Sequence, residues 1–211
     1  MTSPSRIFTI DRAAAASTEA KNKKRSPLLF CVVSSIDEIV ETVAPRFSYL
    51  TKRQSEVLCC VAEGLTASEA GEKMFIGCRS VESHKRNICL LGVKGRYEMV
   101  LTALLYAAVS GRKSGFPEIG ELRLAKRQLE LFESVGRGNS CREMAEEFGI
   151  TEKTVHKHFY YINKKLIADG KNGAVGRVSH SYILACAAWN VVVKPYVESH
   201  AEAINSLLIR A

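Results

Sequence analysis

Apolar side chains along this 211-residue chain recur at three- and four-residue spacing in short runs closed by glycine, and the runs come in matching pairs. Val57, Leu58 and Val61 form the first stripe, a spacing that puts all three on one face of a helix. Thr51 with Gln54 has the form of a capping box opening that helix, and Gly64 marks its stop. Thr66 with Glu69 is a second capping box, predicting a helix through about Lys73. A four-residue turn then leads to a third helix from about Cys78 to Leu91, with Val81, Ile88 and Leu91 at helical spacing. The pattern returns downstream: a helix ending at Gly138, Ser140 with Glu143 as capping box, and Thr151 at the start of a third helix. The Thr151 hydroxyl can accept a free helix-end N–H, which its counterpart Gly77 cannot. Apolar, Ala-rich stretches at Met99–Val109 and Tyr182–Val193 predict a fourth helix for each set.

The pairing is a true internal repeat. Residues 50–90 align without a gap on 124–164, with identities at Lys52/Lys126, Arg53/Arg127, Gln54/Gln128, Glu56/Glu130, Gly64/Gly138, Glu69/Glu143, Ile76/Ile150, Val81/Val155, His84/His158 and Ile88/Ile162. Two copies are too few for a solenoid and predict two similar small domains. The expected organisation is a disordered or weakly helical segment over 1–27 and a short helical lead-in over 28–49. The first domain follows over 50–110, a Gly/Pro/Ser linker over 111–120 and the second domain over 121–194. An amphipathic helix over 195–211, striped by Val197, Ala201, Ile204 and Leu208, ends the chain. The second copy adds a loop at Ala168–Gly176 with three glycines.

Composition narrows the class. Hydrophobic residues make up 46% and charged residues 25%, ordinary for a globular protein. The excess of 30 Lys and Arg over 22 Asp and Glu gives a net charge of +8, which favours a polyanionic partner. Seven cysteines at Cys31, Cys59, Cys60, Cys78, Cys89, Cys141 and Cys186 form no CxxC pair and lack zinc-finger spacing, so they read as reduced thiols in a cytoplasmic protein. No apolar run reaches the ~20 residues of a membrane span, and Leu28–Val33 is too short for a signal peptide and reads as buried packing. There is no nucleophile elbow, phosphate loop or metal spacing, so neither catalytic residues nor a cofactor or metal is expected, and the chain is not expected to be an enzyme.

Two short helices joined by a tight turn, the second lined with basic and polar groups, form the arrangement that places one helix in the DNA major groove. The residues that fill it carry a family resemblance. Leu50-Thr51-x-Arg53-x-x-Glu56-Val57-Leu58, Ala62-Glu63-Gly64, Ile76 to Val81 and His84 resemble the LuxR-type helix-turn-helix domain. So do Glu143-Met144-Ala145, Ile150 to Val155, His158, Ile162 and Lys165-Leu166 in the second copy. The resemblance covers about 130 residues and implies an all-α protein made of two tandem four-helix LuxR-type domains, with a short N-terminal extension and a C-terminal helix. In that family the third helix reads the major groove and the fourth supports dimer contacts, so a homodimer is one assembly it implies. The first copy departs by lacking one residue after Leu90 and by having Gly77 where the family has Ser or Thr.

Carried over position by position, base-edge contacts fall on Glu82, Ser83 and Arg86 in the first copy and on His156, Lys157 and Tyr160 in the second. Their i, i+1, i+4 spacing puts each trio on one helix face. Arg86 and Lys157 suit guanine edges, and Glu82 can accept from cytosine N4. Arg79, Ser80, Lys85, Lys153, Thr154, Lys164 and Lys165 are assigned to phosphates. Against these stand plainer readings: His84 and His158 as packing or phosphate-side residues, Glu56 and Glu130 as partners in a salt bridge within each domain, and the basic faces as solvated surface. The expected function is a double-stranded-DNA-binding transcriptional regulator that uses two recognition helices from one chain. The alternative is a regulatory interaction module in which one unit, the first, binds a protein partner such as RNA polymerase or another regulator. A sigma-factor-like module ranks below both, because no segment for opening DNA is present.

Overall fold

The computed structural model describes residues 36–112, 115–168, 179–202 and 204. The expected disordered segment 1–27, the Leu28–Val33 run, the glycine loop beyond Ala168 and Leu208 of the tail stripe lie outside the described residues. Within the described residues, regular structure is entirely helical. A helical stretch over 36–42 and a 3-10 turn at Ala44–Tyr49 lead into α1 (Lys52–Ala62), α2 (Ala67–Met74), α3 (Cys78–Cys89) and α4 (Gly95–Val109). The second unit repeats the order as α5 (Lys126–Gly136), α6 (Cys141–Phe148), α7 (Glu152–Ala168) and α8 (His180–Ala188).

Local chemistry accounts for most helix starts. Thr51 Oγ1 accepts from the Gln54 N–H while the Thr51 N–H donates to Gln54 Oε1 at 2.8 Å, closing the first capping box. Thr66 with Glu69 and Ser140 with Glu143 close the same box at α2 and α6, each satisfying two helix-end donors. At α5 the N-cap is Ala125, which has no side-chain acceptor, so only the Gln128 half of the box remains, at 3.1 Å. The Thr154 N–H donates to Thr151 Oγ1 at 3.2 Å at the head of α7, whereas Gly77 offers α3 no side-chain cap. In both units Glu56 and Glu130 pair with the arginine three residues before them, each at 2.9 Å.

The fourth helices begin earlier than their apolar stretches suggest. α4 starts at Gly95, and α8 starts behind Ser179, whose hydroxyl accepts from the Tyr182 N–H. The helix also does not break at Pro195. α8 runs on through a π turn at Trp189–Val193 into α9 (Lys194–Ser199). The ring of a proline clashes with the carbonyl four residues back, and a preceding wide turn relieves that clash without ending the helix. Within the segment expected to link the units, residues 116–118 are held against the second unit. Phe116 meets the Tyr182 ring edge-on at 5.2 Å, the Asn190 amide donates to the Pro117 carbonyl, and Lys194 pairs with Glu118 at 2.7 Å.

One continuous buried cluster runs through both units. α4 contributes Leu101, Leu104 and Leu105, and α8 contributes Ala185, Ala187 and Ala188, all at most 1% exposed. The alanines let neighbouring backbones come close: a Cβ on Gly136 of α5 would stand 2.7 Å from the Ala187 carbonyl oxygen. The joint between the units is reciprocal. The loop glycine after α1, Gly64, abuts Tyr182 at the head of α8, and its counterpart after α5, Gly138, abuts Tyr97 at the head of α4. Ser179 Oγ donates to the Gly64 carbonyl at 3.2 Å, and the Tyr97 hydroxyl donates to the Gly136 carbonyl at 2.7 Å. The paired glycine–tyrosine contacts are reciprocal in the way that contacts across an isologous interface are, here within one chain.

Candidate nucleic-acid interface

Each unit holds its third helix against the rest by a narrow apolar stripe and leaves the opposite face to solvent. Val81 and Ile88 anchor α3 with no exposure, and Val155, Phe159, Ile162 and Leu166 anchor α7. The turn entering each helix is closed by a left-handed residue, Phe75 at φ +56° and Gly149 at φ +63°. Glycine takes that conformation freely and phenylalanine does not. Phe75 is also 95% exposed, so no packing offsets its strain.

All six residues assigned to base edges are exposed: Glu82, Ser83 and Arg86 on α3, and His156, Lys157 and Tyr160 on α7. Of the residues assigned to phosphates, Arg79, Ser80, Lys153 and Lys164 are exposed, while Lys85, Thr154 and Lys165 are half-buried. These three have partners within the chain. Lys85 Nζ lies 3.1 Å from Glu82 Oε1, the Thr154 hydroxyl lies 3.0 Å from that of Thr151, and Lys165 donates to the Arg123 carbonyl at 2.6 Å. An i, i+3 pair such as Glu82–Lys85 contributes only about 0.2–0.5 kcal/mol, so a phosphate can compete for the lysine. Lys164 sits 4.8 Å from the centre of the Tyr160 ring, and Tyr160 packs edge-on against Tyr161, which is itself 42% exposed. His84 and His158 are half-buried, one per unit, and His158 Nδ1 is fully buried without a hydrogen-bond partner.

The sequence did not point to the residues between the two helices. Arg96, at the head of α4, donates to Ser181 Oγ at the head of α8 at 2.8 Å, joining the units at their junction. α3 reaches this junction through Lys85 and Arg86, which share a cleft with Arg96 and Ser181. α7 reaches it through Phe159, whose ring meets His180 edge-on at 5.6 Å. Burial holds the His180 pKa below the usual histidine value, and the positive fields of Arg96 and His156 push the same way. The ungapped repeat stops before these positions, so only the glycine–tyrosine contacts align Arg96 with Ser181 and Gly95 with His180.

The comparisons with known proteins fall on each of the two units in turn. The family described as bacterial regulatory proteins, luxR family, matches residues 48–103 and again 122–177, together more than half of the chain. This chain belongs to the luxR family of bacterial regulatory proteins. Among its luxR-family relatives is the transcriptional regulatory protein LiaR of Bacillus subtilis, 37% identical over 84 residues, or 40% of this chain and 39% of that protein. The oxygen regulatory protein NreC of Staphylococcus aureus strain JH9 is 38% identical over 74 residues, 35% of this chain and 34% of its own length. The chain therefore spans well under half the length of these relatives. No solved structure matches it. No helix among the described residues is long and apolar enough to cross a membrane.

Proposed function

We propose that this chain regulates transcription by binding double-stranded DNA sequence-specifically, with α3 and α7 addressing two neighbouring half-sites at once. The observation that carries this reading is the reciprocal Gly64–Tyr182 and Gly138–Tyr97 joint, which brings both third helices to one junction. Single-unit readers achieve two half-sites by dimerising, with centres about one helical turn, or ~34 Å, apart. Here one chain supplies both readers, and the second helix binds at the high effective concentration that covalent linkage provides. Glu82, Ser83 and Arg86 differ in chemistry from His156, Lys157 and Tyr160, so the two half-sites differ and the whole site is not palindromic. Arg79, Lys153 and Lys164 supply the phosphate contacts that make such binding steeply salt-dependent.

The test is selection of binding sites from random duplex DNA by the full chain and by its Arg86→Ala and Lys157→Ala variants. A two-part motif is expected, bound by one chain, with each variant blurring one half. Direct base contacts of this kind discriminate by about 1–3 kcal/mol per base pair. Enrichment of a single half, lost only with Lys157→Ala, favours the alternative in which the first unit engages a protein. The strained and exposed Phe75 of that unit is the feature which speaks for that alternative. No enrichment at all overturns sequence-specific binding.

A further inference from the structure

We infer that the cleft beneath the first recognition helix is a binding site for a small aromatic anion, whose occupancy opposes DNA reading by the first unit. The cleft measures about 440 Å³ and opens between α3, the head of α4 and Ser181 of α8. That volume lies in the range of small-molecule sites, about 300–1,000 Å³. Its floor is apolar, built from Val61, Met99 and Val100, all buried, with half-buried Leu65 beside them. Its mouth carries Lys85, Arg86 and Arg96 against one carboxylate, Glu82. Lys85 is already paired with Glu82 and Arg96 already donates to Ser181. The surplus positive charge therefore rests at Arg86 and Arg96, over an apolar floor.

The second unit indicates the shape of the occupant. Where the first unit has Lys85, the second has Phe159, buried to 5% exposure; where the first has Gly95, the second has His180. Those two rings, at the positions that match Lys85 and Gly95, pack edge-on at 5.6 Å. In the first unit the glycine contributes no side chain, and a Cβ built there meets nothing within 4 Å. The lysine lines the cleft with its charged end paired to Glu82 on its own helix. The cleft is thus lined, beneath a cationic mouth, by Lys85 and Gly95, the two positions at which the second unit carries rings. A planar aromatic body restores the apolar packing, and its carboxylate or sulfonate engages the guanidinium groups in charge-assisted hydrogen bonds. An anion held there also neutralises and draws in Arg86, a residue assigned to a base edge; this coupling rests on the DNA reading proposed above, whereas the site does not.

The experiment uses the full chain and 1-anilinonaphthalene-8-sulfonate as a fluorescent probe, displaced by 1-naphthoate, by neutral 1-naphthylmethanol and by inorganic sulfate. One saturable site is expected, with naphthoate displacing the probe at least about tenfold more tightly than the alcohol. Lys85→Phe, which copies the second unit and fills the cleft, is expected to abolish that site. Arg96→Gln, which keeps a donor for Ser181, is expected to weaken naphthoate about tenfold. Melting of both variants by circular dichroism checks that they fold. Equal displacement by alcohol and naphthoate, displacement by sulfate as effective as by naphthoate, or unchanged binding in the folded Lys85→Phe variant each overturn the site. Naphthoate that binds as expected but leaves DNA affinity unchanged overturns the coupling through Arg86 and leaves the site standing.

Discussion

His180 shows how a single side chain registers the joint between the two units. It is a histidine kept below its ordinary pKa by burial against Phe159 and by the nearby charges of Arg96 and His156. The unfolded chain therefore takes up a proton at this residue before the folded chain does. Stability is full above the ordinary histidine pKa, falls as pH drops through it, and stops falling once the folded His180 protonates. Urea denaturation between about pH 7.5 and pH 5.5 should show this loss, and His180→Gln should flatten that part of the profile. None of this was legible at residue 180 itself, where the sequence offers only a histidine before an apolar run. The capping boxes were legible, because Thr51–Gln54, Thr66–Glu69 and Ser140–Glu143 act across three residues of one segment. The Glu56 and Glu130 ion pairs were legible for the same reason.

Among the elements, two turns carry conformational costs of opposite sense. Phe75 occupies a left-handed position, as Gly149 does in the second unit, without burying its ring. Phe75→Gly should therefore raise stability by about 1 kcal/mol, read from the urea midpoint at unchanged slope. If Phe75 is also a protein anchor, the same variant leaves DNA binding intact. Gly64 is the reverse case. A Cβ there would stand 2.6 Å from the Tyr182 Cα, and the residue sits at φ +77°. Gly64→Ala should cost about 2 kcal/mol or more, because the obstruction is backbone of the other unit. Gly138→Ala should cost about as much, since it sits at φ +92° and its Cβ would stand 2.8 Å from a Tyr97 ring held by its hydrogen bond to the Gly136 carbonyl. From sequence these glycines are helix stops; their second role, as contact points between units, requires knowing what faces them.

The one continuous buried cluster that α4 and α8 share predicts that the whole molecule unfolds as a single cooperative body. Fluorescence of Trp189, placed in the π turn of the second unit, and far-ultraviolet circular dichroism of all helices should then give coincident urea transitions. Two separated transitions would mean that the units are independent folds on a tether. The joint also uses the fourth-helix surface internally, so the chain should sediment as a monomer at micromolar concentration. Dimerisation through α4 or α8 would contradict the proposal that one chain supplies both half-site readers.

Much of this protein was fixed by local rules. The caps, the glycine stops, the apolar stripes and the repeated order of four helices all follow from interactions spanning a few residues. The two helix-turn-helix units and the exposed faces of α3 and α7 follow with them. The tertiary structure decided what those rules do not reach. It set Gly64 against Tyr182 and Gly138 against Tyr97, joined α8 to α9 through a π turn without a break at Pro195, and pinned residues 116–118 to α8, the π turn and the head of α9. It also left a cleft lined by Lys85 and Gly95, whereas Phe159 and His180 at the matching positions pack ring against ring. Contacts between residues some 40 to 118 positions apart depend on shape and volume at both ends, and a periodic pattern along one segment carries no record of the surface it will meet.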